Sequence, residues 1–408
     1  MGVRLTLPAR EPWHGLAREY YFSPELYGQE LTRIWYGCWT FACPACEIPK
    51  AGDYATLSIG DASVLVLRGN DGSVRAFHNI CPHRGTLLCD DATGHVGKFL
   101  VCPYHQWMFT RDGAAHSCRE MGEDEIAGVG GLRPVFALEV GGLIFVSLAD
   151  QPPEAAFMRK HLTAADSHGL QRAKVAHAID YSVAANWKIV WENNRECYHC
   201  DLGHPQYVRS NFDSAEGERN TAERRAECER IVAEAEEFWS AEGLSVKHTG
   251  GGLARFPDPA DPNPFPVSAT RTVMVDGYES ESMDGKRVAP LMGALRSHRA
   301  GVLRLRSVPS FWAHASCDHA VLTRVLPAGL GHTRIRVTWL VDADAQEGRD
   351  YRLETLLPFW QMTSEQDWGL CARVARGVAS PAFRPGPLSR QREYNLESFY
   401  LWYLKRLA

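Results

Sequence analysis

Two short stretches hold the residues best suited to chemistry. In the first, Cys81-Pro82-His83-Arg84-Gly85 and Cys102-Pro103-Tyr104-His105 present a C-x-H and a C-x2-H pair with 18 residues between them. Each pair offers one thiolate and one imidazole from a short loop. Two such loops, facing each other, supply two sulfur and two nitrogen ligands. Zinc takes that set as a structural tetrahedron. A [2Fe–2S] cluster takes it with both Cys on one iron and both His on the other. C-x-H is tighter than the usual C-x2-C zinc knuckle. Both Cys precede a turn-shaping Pro, and the surrounding β-rich sequence provides loops that can aim N–H groups at sulfides. These features favour the cluster.

The second stretch runs from Asn186 to Pro205. Its apolar positions have helical spacing up to His199, which sets Glu192, Glu196 and His199 on one face. His204 follows His199 by five residues, roughly 140° around an ideal helix. Both rings can reach one ion only where the helix opens, and Gly203 and Pro205 flank His204 to allow it. Two imidazoles plus a carboxylate make the facial triad of non-haem Fe(II), which leaves positions open for O2. A zinc site using Cys197 and Cys200 is an alternative. Local spacing does not choose the carboxylate, and Asp201, Asp213, Asp367 and the neighbouring Glu365 all compete.

The elements that must position these groups divide the chain. Residues 9–42 are aromatic-rich and helical in pattern, with Ser23-Pro24-Glu25 a helix start. From 50 to 150 the pattern is that of strands, with hairpins at Gly60-Asp61, Asn70-Asp71-Gly72 and Gly141-Gly142. Later come a charged amphipathic helix over 222–241 and a hairpin around Gly329 and Gly331. A helix covers 353–377, and after the Pro-rich break at 381–387 comes a C-terminal helix. The Pro-rich run 257–264 can be neither helix nor central strand.

Composition bounds the partners. The chain has 408 residues, 44 Lys plus Arg against 49 Asp plus Glu, and a net charge of −5. No basic excess marks nucleic acid as a partner. No apolar run approaches the roughly 18–20 residues that span a bilayer. The start has no secretory apolar core, so a cytoplasmic location is expected. The 12 Cys are then expected reduced or metal-bound rather than paired. Cys38, Cys89, Cys118, Cys228, Cys317 and Cys371 read as packing, as does the Cys43-Pro44-Ala45-Cys46 pair, which has no βαβ context.

The Cys81–His105 pattern resembles the Rieske motif. Glu196-Cys197-Tyr198-His199-Cys200-Asp201-Leu202-Gly203-His204 resembles the catalytic segment of Rieske non-haem iron oxygenases: an acid, two residues, His, four residues, His. Most of that family has Asp where this chain has Glu196. The subgroup acting on quaternary ammonium compounds shares the Glu, and the run from Glu192 to Cys200 closely resembles glycine-betaine monooxygenases. Stachydrine and carnitine relatives lie somewhat further off. Phe311-Trp312-Ala313-His314, Asp318-His319 and Trp339-Leu340-Val341-Asp342 carry the same likeness, which covers about residues 10–405.

The resemblance implies an α+β protein: a helical segment over 1–45, an all-β Rieske domain over 46–160, and a catalytic domain over 161–408 with an antiparallel sheet flanked by helices. It implies a cluster on Cys81, His83, Cys102 and His105, with Trp107 packed nearby. It implies a mononuclear Fe(II) on His199, His204 and Asp367, with Glu196 bridging to the cluster of the next subunit in a homotrimer. The expected activity is oxidative N-demethylation of a quaternary ammonium compound, glycine betaine first, using O2. The resemblance implies electrons from NAD(P)H through a separate flavin and iron–sulfur reductase, and since no G-x-G-x-x-G follows a strand here, the chain itself is not expected to bind the nicotinamide. Trp312, Phe311, Trp339 and Tyr207 are candidate cation–π partners, and His314 a candidate for a substrate carboxylate. The rivals are an aromatic-substrate oxygenase and a pure electron-transfer Rieske protein.

Overall fold

Gly141 and Gly142 close the tightest hairpin of the first module. Both have positive φ, +57° and +75°, the conformation a two-residue turn between right-twisted strands demands. A Cβ on Gly141 would meet the Leu162 carbonyl oxygen at 2.1 Å. The computed structural model describes residues 7–211, 221–244 and 267–408. Asp213 and the expected loop at 257–264 lie outside them, and so does the side chain of Cys228.

The hairpin joins Pro134–Val140 to Leu143–Ser147 in a seven-stranded antiparallel sheet. One of its two edge strands is Thr40–Pro44, paired with Leu143–Ser147. The N-terminal helical pattern therefore stops earlier than expected. Helices Glu19–Phe22 and Pro24–Glu30 form, the latter capped by Ser23 as anticipated, and a π turn ends at Trp35. Beyond it, Thr40 and Phe41 are buried on both sides and extend into the sheet. A small three-stranded sheet, Phe99–Val101, Met108–Thr110 and Ala115–Ser117, sits alongside.

A second antiparallel sheet has six strands, in the spatial order Lys174–Val183, Thr333–Val341, Ala320–Pro327, Phe311–Ala315, Val302–Ser307 and Val267–Thr272. Strand side chains alternate between faces. One face carries Leu303, Leu305, Phe311, Ala313 and Leu322, which join Phe41 and Phe145 of the first sheet in one core. The Phe41 and Phe311 rings lie 4.5 Å apart. The opposite face carries Trp312, Val325 and Val337 and packs with helices Trp187–Asn194, Pro358–Ala379 and Tyr394–Leu407. The architecture is α+β, as expected. The 222–241 helix also forms, mostly exposed, burying Ala235 and Trp239.

A buried charge pins the helix that leads to the second chemical stretch. Lys188 Nζ lies 2.6 Å from Glu30 Oε1, and neither side chain is exposed. Trp187 Nε1–H and the Tyr403 hydroxyl also donate to the Glu30 carboxylate, at 2.7 and 2.5 Å. A desolvated ion pair holds only when its remaining hydrogen-bonding capacity is met in this way.

Candidate metal centres and substrate cavity

Asn186 starts the Trp187–Asn194 helix by accepting the Lys188 N–H at its side-chain oxygen. The helix ends at Asn194, five residues short of His199. Glu192 therefore does not share a face with Glu196 and His199. It is half-buried and accepts the Tyr21 hydroxyl at 2.6 Å, and burial of its carboxyl pushes its pKa up to about 6. The reason for the early stop is local. Glu196 Oε2 accepts the backbone N–H groups of Tyr198 and His199, so a carboxylate takes bonds that a continuing helix would make with carbonyls. A one-turn helix, Cys200–Gly203, follows. His204 is non-helical (φ −134°, ψ 68°), and Pro205 starts the next turn. The chain opens between the two His as their spacing required.

The opening brings three ligand atoms together. His199 Nε2 and His204 Nε2 are 3.2 Å apart. Asp367 Oδ1, from the Pro358–Ala379 helix, lies 2.9 Å from His204 Nε2 and 3.2 Å from His199 Nε2. The outer ring nitrogens are already used: His199 Nδ1–H donates to Glu196 Oε1 at 2.6 Å, and His204 Nδ1–H donates to Gln366 Oε1 at 2.8 Å. With neutral rings this geometry would aim two lone pairs at each other and at a carboxylate, so it calls for a cation, either a metal ion or a proton. Burial disfavours a charged His199, yet its bonds to Asp367 and Glu196 outweigh that and push its pKa up to about 10. The donor set fits a divalent iron with open positions. Cys200 Sγ also lies within 4.8 Å of ligand atoms of both His, but it is bonded to Cys197. That pairing departs from the expectation of reduced thiols and removes both sulfurs from a zinc site. Of the rival carboxylates, Glu365 accepts a bond from Gln361 instead. Gln366 was invisible to spacing because it meets His204 only through the fold, and Gln206 supports it by donating to both Gln366 and Thr363.

The Cys–His loops are built alike. The Gly85 N–H donates to the Cys81 carbonyl and the Gln106 N–H to the Cys102 carbonyl, at 2.9 and 3.0 Å. Both i+4 residues are left-handed, at φ +78° and +59°. Cys81 and Cys102 are buried, and burial pushes the Cys81 thiol up to about 11. The His83 and His105 rings lie 4.7 Å apart, and Trp107 stacks on His83 at 4.5 Å. His105 Nδ1 is buried with no hydrogen-bond partner among the described residues. Two sulfurs and two imidazoles converging around such an orphaned nitrogen fit a metal group with mixed ligands.

Beside the His199–His204–Asp367 triad is a small cavity of about 70 Å³, against the roughly 300–1,000 Å³ of sites for drug-sized ligands. Its apolar walls are Trp312, Trp360, Trp368 and Tyr207, and Arg306, His314 and Thr323 reach it from the sheet.

Residues 38–132 match the Rieske [2Fe-2S] domain family, and residues 170–408 match the ring hydroxylating alpha subunit (catalytic domain) family. The chain belongs to the ring-hydroxylating oxygenase alpha subunits. It is 39% identical over 405 residues to the glycine betaine monooxygenase oxygenase subunit of Chromohalobacter salexigens, covering 97% of this chain and 86% of that one. The Pseudomonas aeruginosa protein of the same name is 36% identical, covering 98% and 91%. A solved quaternary ammonium Rieske monooxygenase shares the fold, with TM-score 0.69 at 18% identity over 96% of this chain and 94% of that one.

This Rieske oxygenase thus carries a [2Fe–2S] cluster and a mononuclear iron and uses O2. The matched catalytic domain removes the rival of a pure electron carrier. Among the described residues no helix is long and apolar enough to cross a membrane. Two expected cavity residues of the oxygenase lie elsewhere. Phe311 precedes Trp312 on one strand, so it points to the opposite face and packs between the two sheets. Trp339 lies two strands from Trp312, fully buried in the core beside His177. Trp360 and Trp368 were missed. Trp360 sits at i−7 of Asp367 on its helix, a spacing that shares its face, whereas Trp368 follows Asp367 about 100° round the helix and reaches the cavity from its flank.

Proposed function

We propose that this oxygenase removes one N-methyl group from glycine betaine, giving dimethylglycine and formaldehyde. The observation that carries the reading is the 36–39% identity, over nearly the whole chain, with glycine betaine monooxygenase oxygenase subunits. The small aromatic cavity supports it, because three indoles and a phenol suit a compact quaternary ammonium. In this reading Cys81 and Cys102 hold one cluster iron, His83 and His105 the other, and His199, His204 and Asp367 hold the lone iron. When bound, these groups supply single electrons and the activation of O2.

The chain's own residues do the rest. Glu196 and Gln366 accept hydrogen bonds from the Nδ1–H groups of His199 and His204, which leaves each Nε2 for metal. Trp312, Trp360 and Trp368 exclude water and hold the cation. One oxygen atom enters an N-methyl C–H bond while two electrons and two protons carry the other to water. The resulting N-hydroxymethyl group loses formaldehyde as its C–N bond breaks. Glu196 also bridges to the partner subunit's His105 in a homotrimer. A separate flavin and iron–sulfur reductase supplies the electrons, in the cytoplasm.

The test offers glycine betaine, proline betaine, carnitine and an aromatic acid to the enzyme with reductase, NADH and O2. Formaldehyde release with the highest kcat/KM on glycine betaine is expected. A preference for the aromatic acid would overturn the reading.

A further inference from the structure

The cavity wall sets a cationic side chain beside its indoles. Arg306 is 8% exposed and lines the cavity. Among the described lining residues it alone carries a permanent positive charge. A guanidinium set in the same wall as the indoles offers N–H donors to an anion that the ligand brings beside its trimethylammonium. Arg195 adds to this: it is buried, and burial together with the Arg306 charge pushes its pKa down to about 9.

Register gives the geometry. Arg306 stands directly opposite Trp312, and Trp312 opposite Thr323, so all three project from one face in one row. Directly opposed residues have Cβ atoms about 5 Å apart. In glycine betaine a single carbon separates the ammonium from the carboxylate, so anchors for its two ends must be immediate neighbours. His314, the expected carboxylate partner, is unsuited. Its Nδ1–H donates to buried Glu281 at 3.2 Å, and burial lowers its pKa. A neutral ring results, with a carboxylate behind it whose Oε2 has no partner among the described residues. His314 packs on Trp360 at 4.4 Å. That side of the cavity favours the cation.

We propose that Arg306 selects the substrate: it binds the carboxylate of a betaine, so that the trimethylammonium lies on Trp312 with its methyl groups toward the His199–His204–Asp367 triad. This deepens the quaternary-ammonium reading above and rests on it. Arg306 is then a specificity-determining residue, and the substrate class is a zwitterion with adjacent charges.

The test compares glycine betaine with its carboxamide analogue, which keeps shape and loses the negative charge. Both kcat/KM by formaldehyde release and Kd by calorimetry are measured with wild-type enzyme, R306Q and R306K. Wild type is expected to favour the acid over the amide by about 100-fold, mostly in KM and Kd, the scale of a desolvated charged hydrogen bond. R306Q is expected to collapse that ratio to within a few-fold, with R306K between. A ratio that survives in R306Q overturns the inference. Should R306Q not fold, equal binding of acid and amide by wild type overturns it, and a 100-fold preference upholds it. Wild-type enzyme that demethylates no ammonium compound, though fully loaded with iron, sinks the function reading instead.

Discussion

Replacing Glu196 separates two jobs that one carboxylate performs. Oε1 takes the His199 Nδ1–H at 2.6 Å, and Oε2 takes the backbone N–H groups of Tyr198 and His199. Glu196→Ala loses both. The lost backbone acceptor costs about 1 kcal/mol, by analogy with a removed helix cap. The lost charged bond to a ligating ring costs about 10–100-fold in activity. Glu196→Gln separates the jobs, because its amide oxygen still accepts from the backbone while its NH2 cannot accept from His199. We therefore expect E196Q to unfold within about 0.5 kcal/mol of wild type, yet to form product about 10–100-fold more slowly. The assay is a single turnover of pre-reduced enzyme, following the visible cluster absorbance and formaldehyde together. In both variants the cluster should still be present, with its reoxidation no longer matched by product. Wild-type turnover in E196Q and E196A would refute the reasoning.

Three further outcomes follow from the structure. His168 is fully buried, and burial, reinforced by Arg271, pushes its pKa down to about 3. The unfolded chain protonates it first, so stability is present above pH 6.5 and is lost as pH falls toward 3, by up to about 4–5 kcal/mol. Denaturant midpoints of wild type and His168→Gln between pH 7 and 5 should diverge, and parallel slopes would contradict the burial argument. Trp360→Ala should raise KM for glycine betaine by about 10–30-fold with kcat less affected, since a desolvated cation–π contact is worth about 2 kcal/mol; an unchanged KM would remove Trp360 from the cation wall. Gly141→Ala should cost at least about 1–3 kcal/mol in thermal unfolding, because the residue has φ +57° and its Cβ would clash with Leu162. A neutral effect would place the turn elsewhere.

How far the sequence reached depended on chain distance and on backbone alternation. The Cys–His loops were legible because each ligand pair lies within four residues and its donor chemistry is written in the residue types. The break between His199 and His204 was legible from Gly203 and Pro205. Asp367 stands 163 residues beyond His204, and spacing could not rank it above Asp201; only the family pattern pointed there. The helix end at Asn194 went unseen because it depends on where the Glu196 carboxylate turns. Phe311 was misplaced although strand alternation alone sets it opposite Trp312. Trp360, Trp368 and Gln366 needed the docking of the Asp367 helix beside the two His, which the sequence does not show. The Cys197–Cys200 pair ran against a compartment argument that speaks to averages, not to two thiols three residues apart at a bend.

The central claim is that each chain carries iron in two distinct places. Iron, acid-labile sulfide and zinc counted on protein made with ample iron test it most directly, alongside Asp367→Ala. Wild type should hold about three iron atoms and two sulfides per chain, and D367A about two of each with an unchanged cluster spectrum. Colourless protein, or zinc in place of the iron that Asp367 is assigned to hold, would contradict the account.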